Sequence, residues 1–192
     1  MSLAPTVQRI CIVGAESTGT TTLAQELAQH YHTLWVPEYG REYTERIARE
    51  NPNVHHYDWR SEEFTHIAAE QQRLEDEAAA RANHVLFCDT DALATAIWHE
   101  HYLGSRAPEV EALARARHYA LYILTACDVP FVQDSIREGE HTRAWMTRRF
   151  EEELAKRPEP WIKVSGSHEE RMHAAVAEID RRLAFTASSS PA

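Results

Sequence analysis

Residues Arg9–Thr22 read RICIVGAESTGTTT, and LAQELAQHY follows over Leu23–Tyr31. A short β-branched apolar run passes straight into a glycine loop and then into a helical pattern, the order that a phosphate-binding strand, loop and helix requires. Gly14 and Gly19 permit the backbone turns that aim successive N–H groups at phosphate oxygens, and the helix that starts there adds its positive end. Glu16, Ser17, Thr18, Thr20 and Thr22 complete the cradle, and Thr21 takes the hydroxyl position that ligates Mg²⁺. The pattern GxxxxGK[ST] asks for lysine at position 20, where this chain has Thr20. That lysine stabilises charge during transfer, so another cation must supply it, or the protein binds nucleotide and reacts slowly. A glycine turn without a ligand is the competing reading, and a strand before, a helix after and both glycines in register stand against it.

Outward from this stretch, short β-rich runs alternate with longer helical ones. Strands are expected at Arg9–Val13, Thr33–Val36, His84–Cys88, Ala120–Leu124 and Trp161–Val164. Helices are expected at Thr21–Tyr31, Arg41–Glu50, Ser61–Arg81, Ala92–Tyr102, Pro108–Arg117, Thr142–Lys156 and His168–Leu183. The expected class is α/β, a three-layer P-loop NTPase fold with a five-stranded, mostly parallel sheet and helices on both faces. Ser61 is read as the cap of the third helix, with Glu62 and Glu63 in its first turn. Asn51–Arg60 reads as a loop; the domain is assigned to residues 1–185 and a disordered tail to residues 186–192.

A chain of 192 residues suits one domain, and no stretch approaches the roughly 20 apolar residues a membrane span needs. Met1–Thr6 carries no secretory signal, so the cytoplasm is expected, and Cys11, Cys88 and Cys127 read as reduced thiols rather than metal ligands or disulfides. A net charge of -10 argues against nucleic acid and for a small phosphorylated ligand. A homo-oligomer stays open.

Further along, Glu38 and Arg41 in Pro37–Glu42 fall at the carboxyl end of the second strand, where open α/β sheets bind ligands. Glu38 would hold a substrate hydroxyl there; a helix-capping acid beside a surface arginine is the equal alternative. Phe87-Cys-Asp-Thr-Asp91 ends the third strand on an acid. Asp89 would hold Mg²⁺, directly or through water, or accept the hydroxyl proton, and Asp91 is either a second such acid or a helix cap. Asp134–Arg149 reads as a polar lid in which Arg137 and Arg143 would replace the missing lysine, against the alternative of solvated helix faces. Trp98 would stack on a base or fill the core. His55-His56 and His99-Glu-His101 lack convincing further ligands, and zinc is discounted.

With GAESTG, VPEYGREY, IAAEQQ (Ile67–Gln72), DTDALATAIW, LYILTACDVPFVQDSIREGEHTR and GSHEER in this order, almost the whole chain resembles the ribosylnicotinamide kinase domain of NadR-type bacterial proteins. The resemblance implies the P-loop kinase fold, ATP with Mg²⁺, and phosphorylation of the 5′-hydroxyl of nicotinamide riboside to nicotinamide mononucleotide. It implies that Gly14–Thr22 cradles the phosphates and that Thr21 and Asp89 organise Mg²⁺. Glu38, Arg41 and Asp91 would face the riboside, Arg137 and Arg143 would close over the phosphates, and Ser165–Ser167 would lie near adenine. No stretch matches the nucleotidyltransferase domain that NadR-type proteins often carry, so adenylyl transfer is not expected. A kinase for another nucleoside and a nucleotide-binding sensor with little catalysis remain alternatives.

Overall fold

A computed structural model describes residues 7–51, 57–133 and 139–188, with side chains to residue 183. Along the chain come β1 (Gln8–Gly14), α1 (Thr20–His30), β2 (Leu34–Val36), α2 (Tyr39–Glu50) and α3 (Ser61–Ala79). Then follow β3 (Val85–Asp89), α4 (Ala92–Leu103), α5 (Pro108–Ala116), β4 (Leu121–Thr125), α6 (Glu140–Leu154), β5 (Trp161–Val164) and α7 (His168–Ser188). The strands lie in the order β2-β3-β1-β4-β5, and every pairing is parallel. This is the three-layer α/β arrangement read from the sequence.

Every residue of β3 and β4 is buried, as expected where helices cover both faces of a parallel sheet. Because side chains alternate along a strand, β1 feeds two cores. Ile10 and Ile12 pack with Leu23, Leu27 and Ile179 of α1 and α7, while Cys11 and Val13 pack with Phe64, Ile97, Val110 and Phe150 of α3, α4, α5 and α6. Cys11 and Cys88 face each other across β1 and β3, and both are free, as is Cys127.

Two boundaries differ from the reading. Helix α7 continues to Ser188, past residue 186 where the tail was expected to begin, and residues 189–192 lie outside the described set. Ser61 is not a cap: its hydroxyl bonds His99 Nε2 at 2.9 Å, and Arg60 holds the cap position. There the Glu63 carboxylate accepts from Arg60 N–H at 2.9 Å, and Glu63 N–H donates to the Arg60 carbonyl at 3.0 Å.

Pairing sets the position of the loop residues. Gly14 lies opposite Thr125, and Ile12 lies opposite Asp89. The strand order reverses about β1, so the carboxyl ends of β1 and β3 open onto a crevice of the kind in which such sheets bind ligands.

Candidate active site

The loop after β1 is held from beneath. Thr18 is buried; its hydroxyl donates to the Ala15 carbonyl at 2.7 Å and lies 2.7 Å from the Thr125 hydroxyl. A Cβ on Gly14 would fall 2.1 Å from Thr125 Oγ1 and 2.6 Å from Thr18 Oγ1, so only glycine fits. Thr18 thus braces the cradle with its side chain rather than lining it. Gly19 caps α1 at φ 85 and has no side chain to occupy the first-turn N–H groups, which leaves that helix end suited to an anion. Ser17 also sits at positive φ (57), and its hydroxyl accepts from Val132 N–H at 2.9 Å.

One cavity runs from this loop to the helices beyond it. Gly14, Glu16, Ser17, Gly19, Thr20, Thr21 and Thr22 are part of its lining. Glu38, Arg41, Gln71, Thr90, Trp59, Phe64, Trp98 and Tyr102 line the same cavity. Glu38, Arg41 and Trp98 therefore share one cavity with the loop. The aromatic wall is continuous: Trp98 and Tyr102, one turn apart on α4, stack at 5.7 Å, and Trp59 lies 5.3 Å from both Tyr102 and Phe64.

Asp89, at the end of β3, is 1% exposed and accepts from the Thr21 hydroxyl at 2.5 Å. Among the described residues its Oδ1 is buried with no hydrogen-bond partner. Burial raises its pKa, against the hydroxyls of Thr21 and Thr20 and the charge on Arg41. A hydroxyl and a carboxylate with an oxygen to spare fit the donor set of Mg²⁺, a hard cation that takes oxygen ligands. Glu38, half-buried, is pushed up to about 8, first by burial and then by the charge on Asp89, with Arg41 opposing. Thr90, between Asp89 and Asp91, takes φ 65 and donates its N–H to the Ile12 carbonyl at 2.9 Å, which holds the strand end in a conformation uncommon for threonine.

Three readings need correction or restriction. Asp91 does not reach the cavity: Oδ1 caps α4 by accepting from Leu93 and Ala94 N–H, each at 3.1 Å, and Oδ2 accepts from the Tyr122 hydroxyl at 2.8 Å. Its other reading, a helix cap, is the one the geometry supports. Arg143 is 4% exposed; it donates to the Val129 carbonyl at 2.9 Å and lies 5.8 Å from the Phe131 ring, so it pins the segment after β4 instead of lining the cavity. Arg137 lies outside the described residues.

Arg171 was missed. It is 4% exposed and donates to the carbonyls of Thr18 (2.7 Å), Ala126 (3.1 Å) and Gly166 (3.0 Å) and to the Asp128 carboxylate. A single guanidinium therefore ties the loops after β1, β4 and β5. It ends the GSHEER motif, but a buried arginine looks like a surface one in sequence.

Together, the five-stranded parallel sheet, the glycine loop running into α1 and the Thr21–Asp89 pair define a P-loop NTPase. Residues 9–171 match the AAA domain family, and the chain belongs to that family. Over 132 residues the chain is 32% identical to the trifunctional NAD biosynthesis/regulator protein NadR of Salmonella typhimurium, a match covering 68% of this chain and 31% of that protein. The chain thus spans about a third of the length of that relative. Among solved structures, NadR in complex with NAD and AMP-PNP superposes with TM-score 0.71 at 19% identity over 92% of this chain and 49% of that one. NadR in complex with NR gives 0.70 at 19% identity over 92% and 52%. The deoxyadenosine kinase of M. mycoides gives 0.63 at 11% identity over 90% and 99%. These likenesses show the fold.

Proposed function

We propose that the protein transfers the γ-phosphoryl group of ATP to the 5′-hydroxyl of a nucleoside, with nicotinamide riboside as the foremost acceptor. The observation that carries this is Glu38: a carboxyl pushed up to about 8 lines the same cavity as the phosphate loop. A general base works best with a pKa near the operating pH, and Glu38 shares a cavity with the phosphate loop, where such a base is needed. The 32% identity to NadR, and the NadR structure bound to NR, support this choice of acceptor.

In this reading the first-turn N–H groups of α1 and the loop backbone hold the triphosphate. Glu38 takes the hydroxyl proton as the acceptor oxygen bonds to the γ-phosphorus and the bond to the β-phosphate oxygen breaks, releasing ADP. Mg²⁺, held by Thr21 and Asp89, would neutralise charge on the phosphates. For the charge absent at Thr20, Arg41 is the lysine or arginine that lines the cavity among the described residues, and it acts electrostatically on both Asp89 and Glu38. The aromatic wall takes the acceptor's ring. No helix among the described residues is long and apolar enough to cross a membrane, and we place the reaction in the cytoplasm.

The sensor reading keeps its footing in Thr20. The test is ADP release by the purified chain with ATP and Mg²⁺, with and without nicotinamide riboside, beside Thr20→Lys and Asp89→Ala. Riboside-dependent release that Asp89→Ala abolishes with the fold intact is expected. ATP binding without turnover on any nucleoside would instead establish the sensor.

A further inference from the structure

Gln71 is a buried polar group of the cavity lining that the proposed chemistry does not use. It lies on α3, is 2% exposed, and lines the cavity with Glu38, Phe64, Ile67 and Trp98. Its Oε1 accepts the Tyr39 N–H at 2.9 Å. That bond determines which way the amide faces, because a backbone N–H only donates and the carboxamide must present its oxygen there. Nε2 is left on the other side, and among the described residues it is buried with no hydrogen-bond partner. A buried amide donor without a partner is costly, and few native groups stand that way without a reason.

The cavity lining therefore combines an aromatic wall with a fixed amide donor. Stacking accepts any planar ring; a rigid N–H accepts only a ring with an oxygen or nitrogen lone pair at the right place. Resting on the nucleoside-kinase reading above, we propose that Gln71 is the specificity-determining residue of the acceptor site, donating from Nε2 to a lone pair on the acceptor's heterocycle. For a pyridine nucleoside that lone pair is on the carbonyl of the ring carboxamide. Gln71 also joins the ring site to the turn that carries Glu38, because its oxygen holds the residue after that base.

The test is a cycle of two acceptors and two proteins. Nicotinamide riboside is compared with ribosylpyridinium, which lacks the carboxamide, in wild type and in Gln71→Leu, reading kcat/KM for ADP release and riboside binding by quenching of tryptophan fluorescence. Loosening of the Tyr39 turn lowers both acceptors alike and cancels in the ratio, so the ratio reports the hydrogen bond. Wild type is expected to prefer nicotinamide riboside by roughly ten- to thirtyfold, and Gln71→Leu to bring the preference near unity. Gln71→Met, closer in shape, is run beside it with a thermal melt on both, so that a variant that fails to fold does not decide the outcome. An unchanged preference in a folded variant, or an equal loss on both acceptors, overturns the assignment and leaves the kinase reading standing. A wild type that binds and turns over neither nucleoside overturns both.

Discussion

Replacing Glu38 with glutamine tests the proposed base most directly. An ordinary glutamic acid is ionised throughout the neutral range, but burial and the nearby charge of Asp89 push Glu38 up to about 8. At pH 7 roughly a tenth of it is then ionised, and kcat/KM should climb close to tenfold per pH unit until it levels above about 8. The sign is that of a base: activity is lost as protons are added. Kinetics of ADP release from pH 6 to 9.5 with MgATP as the varied substrate would show the limb in kcat/KM, which reports the enzyme before MgATP binds. A limb in kcat should sit lower, because bound Mg²⁺ adds positive charge that favours the carboxylate. Glu38→Gln should cost about 10²–10⁴-fold in rate and flatten the limb. A wild-type profile flat across pH 6–9, or a limb that survives Glu38→Gln, would refute the argument.

Two further predictions concern the frame around the site. Gly14→Ala would place a methyl group 2.1 Å from Thr125 Oγ1, so the loop must shift; ATP affinity by calorimetry should fall tenfold or more, with stability lowered by about 1–3 kcal/mol. Glu75, 0% exposed and bonded through both oxygens to the Tyr119 hydroxyl at 3.0 Å, is pushed up to about 8 by burial. A carboxyl raised on folding gives stability that is full below its ordinary pKa near 4.5 and is lost as pH rises through 8. The wild-type melting temperature should therefore fall between pH 5 and 8.5 relative to Glu75→Gln, and parallel curves would show that Glu75 keeps an ordinary pKa in the fold.

Much of the frame was legible because it rests on local pattern. Trp161–Val164 was read with the bounds β5 has, and Asp89 stood out as an acid closing an apolar strand. What escaped depends on direction in space. Asp89 and Asp91 are alike in sequence, yet the positive φ of Thr90 between them lets one face the loop while the other caps α4 against Tyr122. Gln71 sits among the apolar positions of α3, where its amide is invisible to periodicity, and Trp59 came from a stretch read only as loop. Arg143 matched a lid in composition, but its partner is the Val129 carbonyl, a backbone atom that sequence cannot display. The end of α7 was misjudged because Phe185–Ser188 contains no glycine or proline, so nothing before Pro191 breaks a helix.

Arg171 bears on how the protein can be taken apart. The family match ends on this residue, and its guanidinium is the rivet through three otherwise separate loops. For an engineer, the smallest portable phosphate-binding unit is therefore not the contiguous stretch from β1 to α1, although that stretch carries the whole motif. A graft of residues 8–30 into another sheet would arrive with the Thr18 carbonyl and the Thr125 contact both unsupported. The part that can be moved includes the first turn of α7, about 150 residues downstream, and a shuffled or permuted gene must keep the two together.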